Sequence, residues 1–278
     1  MVRKCFLLVL VALFIGMSVM PASACTIFNA SRDGMVLVGN NEDYTNPDGA
    51  VWFEPAAEGI HGNVTFGFLN GNAQGGMNDQ GLFYDFFASG NFRTCPIAQG
   101  QRLPSGEITQ TEPTFEELVA LYMEFGMPSQ KMLQTCATVE EAITFFQQHY
   151  EGVFGYAYIM LADKTGASAT ITWNWEKNEL AINRKSGEFQ VIGVGSKAVF
   201  DKMNSGKYEV STDAFKALLQ KASIDITTYS NIYDLNTGSI TVYQHRNFDQ
   251  SYQFLLSEEL AKGPHTCLLS DLFAPACH

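Results

Sequence analysis

Apolar residues are distributed along this chain in two different ways. From Cys5 to Met20 they form an almost unbroken run, and after residue 24 they fall into short runs and alternations. Residues 25–28 and 36–38 read as two strands, with turn chemistry between them from Asn29 to Gly34. Further strands are predicted at 63–69 and 81–87, joined by the glycine-rich "NGNAQGGMNDQG", whose glycines read as turn formers. A later series follows at 155–163, 167–175, 179–184 and 189–195, and a last pair at 227–235 and 239–245 turns at Asn236-Thr-Gly238.

Helical spacing marks three segments between the strand groups. Thr114-x-x-Glu117 and Thr138-x-x-Glu141 are capping boxes that open apolar stripes, and a third helix spans roughly 212–221. The glutamates of the first turns are placed by the helix dipole, and His149 reads as a cation at the end of the second helix. Strands outnumber helices, and helices fall in groups between strand groups. That pattern predicts antiparallel sheets covered by helices, an α+β fold, in one domain over 25–278.

The early apolar run changes the picture of where the domain begins. Arg3 and Lys4 precede it, and Ala22-Ser23-Ala24 follows with the small-x-small pattern of a signal-peptidase site. Residues 1–24 are therefore expected to be a cleaved bacterial export signal, and the protein periplasmic or secreted. No later segment predicts a membrane span. The formal net charge is −12, and loss of Arg3 and Lys4 would deepen it. Such acidity argues against nucleic acid as a partner. No glycine-rich phosphate cradle occurs at a strand-to-helix junction, and no cofactor is expected. The sequence leaves self-association into a homo-oligomer open.

Six cysteines occur, one of them inside the signal, so an odd number remains after cleavage. In an exported chain an odd cysteine is a candidate reactive thiol. The most local pairing is Cys95 with Cys136 and Cys267 with Cys277, which leaves Cys25 alone. The spacing of His265, Cys267, Cys277 and His278 fits no common zinc pattern, so no metal site is expected.

Cys25 is also the residue that cleavage after Ala24 would expose. It would then carry a thiol, with a reference pKa of about 8.5, and an α-amine at about 7.7–8.0 that can take the thiol proton. Nucleophile and base would share one residue, as in N-terminal threonine enzymes. A second reading of the same pattern is a lipoprotein, lipidated at Cys25 and serving a binding role.

Four stretches carry a resemblance. Cys25-Thr26 followed by Gly39-Asn-Asn-Glu-Asp43, "GGMNDQGL" at 75–82, "LADKTGASATI" at 161–171 and "YSNIYDLNTGSITVYQHRNFDQ" at 229–250 stand in order along the chain. Together they resemble the choloylglycine hydrolase and penicillin V acylase family of N-terminal-nucleophile (Ntn) hydrolases. Relatives include linear-amide hydrolases and acyl-CoA:6-aminopenicillanate acyltransferases. The resemblance implies a four-layer αββα sandwich and hydrolysis of a linear amide in a small N-acyl substrate, through a thioester on Cys25. It implies Cys25 as nucleophile and α-amino base, Asp43 as the residue that orients the amine, and Asn41 as a further site residue. The family's arginine falls at Asn40, and its two further asparagines fall near Ala88 and Val194. A relative that has lost catalysis and kept an acyl-ligand pocket is the third reading.

Overall fold

The computed structural model describes residues 25–45, 49–69, 72–88, 93–109, 111–186, 189–193 and 196–273. Two antiparallel sheets dominate it. The first has six strands in the order β10 (Gln190–Gly193), β1 (Thr26–Arg32), β2 (Met35–Asp43), β11 (Thr227–Asp234), β12 (Ser239–Gln244) and β13 (Asn247–Leu255). The second has eight: β14 (His265–Leu268), β3 (Gly49–Glu54), β4 (Asn63–Phe68), β5 (Asn72–Asn78), β6 (Leu82–Ala88), β7 (Ala157–Asp163), β8 (Ala167–Asn174) and β9 (Glu179–Ser186).

Helices cover both outer faces. Helices α1 (Phe115–Phe125), α2 (Pro128–Thr135) and α3 (Val139–Gln148) pack on the eight-stranded sheet through a core that includes Leu118, Leu133, Ile143 and Phe146. Helices α4 (Ser196–Asn204) and α5 (Thr212–Ala222) pack on the six-stranded sheet through Val199, Phe215 and Leu219. Between the sheets lies a third core, with Ile27, Val38, Phe66, Phe83 and Tyr233. The result is the four-layer αββα arrangement. No helix among the described residues is long and apolar enough to cross a membrane.

The capping box of α1 forms as the sequence predicts: the Thr114 hydroxyl accepts from the Glu117 N–H while the Glu117 carboxylate accepts from the Thr114 N–H. At α3 only half of the box forms: the Thr138 hydroxyl accepts from the Glu141 N–H, but the Glu141 carboxylate accepts from the Ala137 N–H instead. His149 sits at the end of α3, its ring stacked on Phe145. The first turn is tighter than expected: β1 runs on to Arg32, and only Asp33 and Gly34, both at positive φ, make the reversal.

Residues 72–78 correct the reading of the glycine-rich stretch as turn alone, for they form the interior strand β5. Its glycines answer to neighbours remote in sequence. A Cβ on Gly76 would stand 2.0 Å from the Val64 carbonyl oxygen, so the strand can approach β4 only without a side chain.

The expected Cys95–Cys136 disulfide is not formed; Cys25, Cys95, Cys136 and Cys267 are all free thiols. The Cys95 thiol donates to the Glu151 carbonyl oxygen at 3.3 Å, whereas Cys136 closes the end of α2 beside Thr135. Burial pushes the Cys136 thiol up to about 11 and holds Cys95 higher still, so both are inert packing residues. Cys277, its proposed link to Cys267, and residues 1–24 lie outside the described residues.

Under α1, the buried Glu151 carboxylate accepts from the Tyr122 hydroxyl and from the Ser129 N–H at 3.2 Å. Burial raises its carboxyl from the ordinary 4.5 to about 7. Between those values the folded chain holds a proton that the unfolded chain has released. Stability from this group is therefore full below about pH 4.5, falls as pH rises and is lost above pH 7. Glu151→Gln is expected to remove a decline of roughly 3 kcal/mol between pH 4.5 and 8, measured by urea denaturation across that range. A slope unchanged in the variant would refute this.

Candidate active site

The site is built by the first hairpin. Thr26 pairs with Asn41 across β1 and β2 and with Gly193 across β1 and β10. Cys25 therefore stands beside Glu42 in register. Alternation then sorts the side chains by face: Ile27, Val36 and Val38 enter the core between the sheets, while Phe28 and Leu37 face α4 and α5. Cys25, Asn40 and Glu42 follow the inward set. Gly193 brings β10 so close that a Cβ there would meet the Cys25 carbonyl oxygen at 2.0 Å.

The Cys25 thiol is 7% exposed. It hydrogen-bonds the Glu42 carboxyl, and the Asp43 N–H donates to its sulfur. Burial is the main reason the thiol is held well above its ordinary value, with the Glu42 charge next; the Asp43 N–H works the other way. Glu42 is raised by burial and then by Asp85, which reaches the same space from β6 of the facing sheet. Asp85 is itself raised by burial, while the Phe86 N–H, at 2.7 Å from Oδ1, favours its ionised form. Two carboxyls thus face each other beside the thiol, and each makes the second ionisation harder.

Asp43 is the sequence-predicted residue that the structure brings to the thiol. Burial raises its carboxyl to about 6, offset by the Thr227 hydroxyl, which donates to Oδ1 at 2.5 Å. Its second oxygen, Oδ2, is buried without a hydrogen-bond partner. Asn41 is placed elsewhere. Its Nδ2 donates to the Leu219 carbonyl at 2.9 Å and its Oδ1 accepts from the Ser230 hydroxyl at 2.7 Å, so it joins β2 to α5 on the outer face. Asn40, at the position of the family's arginine, is buried beside Glu42. Ala88 is exposed at the end of β6, and Val194 lies outside the described residues.

Glu42 and Asp85 were not legible as site residues. Glu42 occupies the unspecified position of the Gly-Arg-Asn-x-Asp resemblance, and Asp85 sits in an aromatic strand, "LFYDFFA". An acid in the middle of an apolar strand was the one available signal. A cleft of about 120 Å³ opens where Thr170 and Asn183 of the eight-stranded sheet meet Gln190 and Ile192, but Cys25 does not line it. Among the described residues no group of His, Cys, Asp and Glu side chains is arranged to hold a metal ion.

Two antiparallel sheets between helix layers, with Cys25 heading the first strand, define the class by its fold, a four-layer αββα sandwich. Solved structures share it. Penicillin V acylase from Agrobacterium tumefaciens matches with a TM-score of 0.58 at 11% identity, over 88% of this chain and 90% of that one. Two variants of conjugated bile acid hydrolase from Clostridium perfringens match with TM-scores of 0.61 and 0.59, each at 12% identity over 88% of this chain and 96% of theirs. No protein-family model matches the chain, and no curated protein matches it by sequence.

Proposed function

We propose that this protein is an exported cysteine amidase that hydrolyses the linear amide bond of a small N-acyl substrate. Cys25 would act as nucleophile and, through its own α-amino group, as base. The observation that carries this reading is the placement of Cys25: it heads β1 between the sheets, with the Asp43 N–H on its sulfur and the unpartnered Asp43 Oδ2 nearby.

Cleavage after Ala24 would turn the Cys25 nitrogen into an amine and make export and activation one event. The thiol proton passes to that amine and the sulfur attacks the amide carbon, giving a tetrahedral oxyanion. Collapse breaks the C–N bond, and the departing amine takes the proton from the α-ammonium. Water then adds to the thioester, giving its proton back through the amine and releasing a carboxylic acid and the thiol. Asp43 Oδ2 is the acceptor suited to orient the amine. The ammonium also lowers the thiol pKa, opposing the burial and the Glu42 charge that raise it.

The burial of the thiol disfavours the lipoprotein reading, because a lipid-bearing sulfur must leave the core. The test starts from protein recovered after export. Its sequence is expected to begin Cys-Thr-Ile-Phe, an electrophilic probe is expected to label Cys25, and a panel of N-acyl amides is expected to release free amine. Full activity in protein that begins upstream of Cys25 would sink the mechanism, and a diacylglycerol mass on Cys25 would replace it with the lipoprotein. Within the same reading, Asp43→Asn is expected to lower kcat about 10²-fold with KM changed little, as for loss of an orienting group. An unchanged kcat would remove Asp43 from the machinery.

A further inference from the structure

The proposed amidase reading leaves two carboxyls unused. Asp43 is enough to hold one α-ammonium, yet Glu42 and Asp85 also converge on Cys25 from opposite sheets. The charged groups that act most strongly on the thiol are Glu42, Asp85 and Asp43, all acidic. Glu42 and Asp85 are also the carboxylates acting on the neighbouring Tyr229 and Tyr233 hydroxyls. Neither Glu42 nor Asp85 takes part in an ion pair with any lysine, arginine or histidine of the described chain.

A second, independent feature surrounds this pair. Asn40 precedes Glu42 by two residues on the same face of β2 and is 1% exposed; its amide lies against the Glu42 carboxyl and favours the ionised form, but neither amide atom makes a hydrogen bond of good geometry. Its cross-strand neighbour on β11 is Asn231, whose Oδ1 is likewise buried and unpartnered. Glu42 pairs across the same ladder with Tyr229, whose hydroxyl is also unpartnered. The patch therefore leaves three acceptors unmatched in one buried place, Glu42 Oε2, Asn40 Oδ1 and Asn231 Oδ1, beside two groups that can donate, Asn40 Nδ2 and the Tyr229 hydroxyl. Leaving such groups unmatched costs about 1–3 kcal/mol each, so a donor-rich occupant is strongly favoured. A charged amine supplies N–H donors and the missing positive charge together.

We propose that the Glu42–Asp85 pair, with Asn40 and Asn231, is a subsite for a second ammonium group on the amine half of the substrate, so that the enzyme prefers N-acylated diamines over N-acylated neutral amines or amino acids. The preference follows from charge. Burial disfavours the ionised forms of both carboxyls, and an ammonium seated between them restores those forms while placing positive charge beside the forming oxyanion. An anionic amine half, such as a glycine carboxylate, would instead meet acidic groups that repel it once either ionises. This inference rests on the amidase reading for the word substrate, but the cation subsite itself does not.

The experiment therefore has two arms. In the first, three amides with one acyl chain are compared: N-hexanoyl-1,4-diaminobutane, N-hexanoyl-butylamine and N-hexanoyl-4-aminobutyrate. The cationic amide is expected to show kcat/KM at least about 30-fold above the neutral one and about 10³-fold above the anionic one, values in keeping with charge-assisted pairing. Glu42→Gln and Asp85→Asn, each checked for folding by thermal denaturation, are expected to shrink the cationic-to-neutral ratio at least tenfold. Either folded variant decides the point. In the second arm, calorimetry measures binding of 1,4-diaminobutane, butylamine and 4-aminobutyrate to the wild-type protein and both variants. Diamine binding that weakens at least tenfold in Glu42→Gln supports the subsite even if no amide is hydrolysed, a result that would overturn only the amidase reading. Preference for the anionic amide, or diamine binding that is absent or unchanged in both variants, overturns the subsite.

Discussion

Replacing Cys25 by alanine is expected to reduce amide turnover by about 10⁴-fold or more, because nucleophilic attack has no substitute once the sulfur is gone. Measured as free amine released per folded protein, residual activity should be indistinguishable from the uncatalysed background. The fold should survive. Alanine removes a buried sulfur, at a cost of about 1 kcal/mol for the small cavity, and also removes the hydrogen-bonded thiol whose neighbours are acidic. Cys25→Ser makes a sharper control. It keeps a hydroxyl against Glu42 and Asp43 but replaces a thiol with a far weaker acid, so turnover should stay below about 1% of wild type. Turnover close to wild type in Cys25→Ala would end the nucleophile assignment.

Asn78→Ala is expected to cost about 3–5 kcal/mol and to lower the midpoint of thermal unfolding by roughly 10 °C. The Asn78 amide donates from Nδ2 to the carbonyls of Leu133 and Cys136, both at 2.7 Å. Its Oδ1 accepts from the N–H groups of Gln80 at 3.1 Å and Leu82 at 3.0 Å. One fully buried side chain thus joins the end of α2 to the β5–β6 turn. Alanine leaves these backbone groups without partners where water does not reach them. Asn78→Asp should be no better, since a carboxylate would face the two carbonyls that now accept from Nδ2. Thiol labelling of Cys25 below the unfolding transition should be unaffected in Asn78→Ala, because the contact lies on the helix side of the eight-stranded sheet. A midpoint within about 2 °C of wild type would contradict this account.

The Asn78 contacts also explain why the second motif was legible while its meaning was not. "GGMNDQGL" stands out by its residue types, but the carbonyls that Asn78 serves lie 55 and 58 residues further on. The same holds for β5. Glycine there is demanded by the Val64 carbonyl across the ladder, and a local reading has only turn chemistry to offer. Strand β13 was missed for another reason: most of it is exposed at the sheet edge, so it carries little of the period-two pattern. The short helix α2 is missed because its eight residues hold too brief an apolar stripe, although Pro128 marks its first turn.

The site divides in the same way. Cys25 stood out through a processing pattern and Asp43 through a spaced motif, both short-range signals. Asn41 belongs to the same motif, yet its side chain is held on the outer face by the Leu219 carbonyl and the Ser230 hydroxyl. That face is fixed only once the strand has partners on both sides. The odd-cysteine argument also loses its support, since Cys95 and Cys136 are packed apart as free thiols, and Cys25 now rests on position alone.

By itself, the sequence determined the α+β class, the capped helices α1 and α3, the first hairpin and the candidacy of Cys25 and Asp43. Those features are set by spacing and local hydrogen bonding within a few residues. The tertiary structure alone decided that Asp85, sixty residues from Cys25, faces the same thiol as Glu42, and that Asn40 and Asn231 lie side by side with the Asn231 Oδ1 left unpartnered. The physical reason is that charge and desolvation depend on what approaches through space, and that approach exists only after the two sheets have closed on each other.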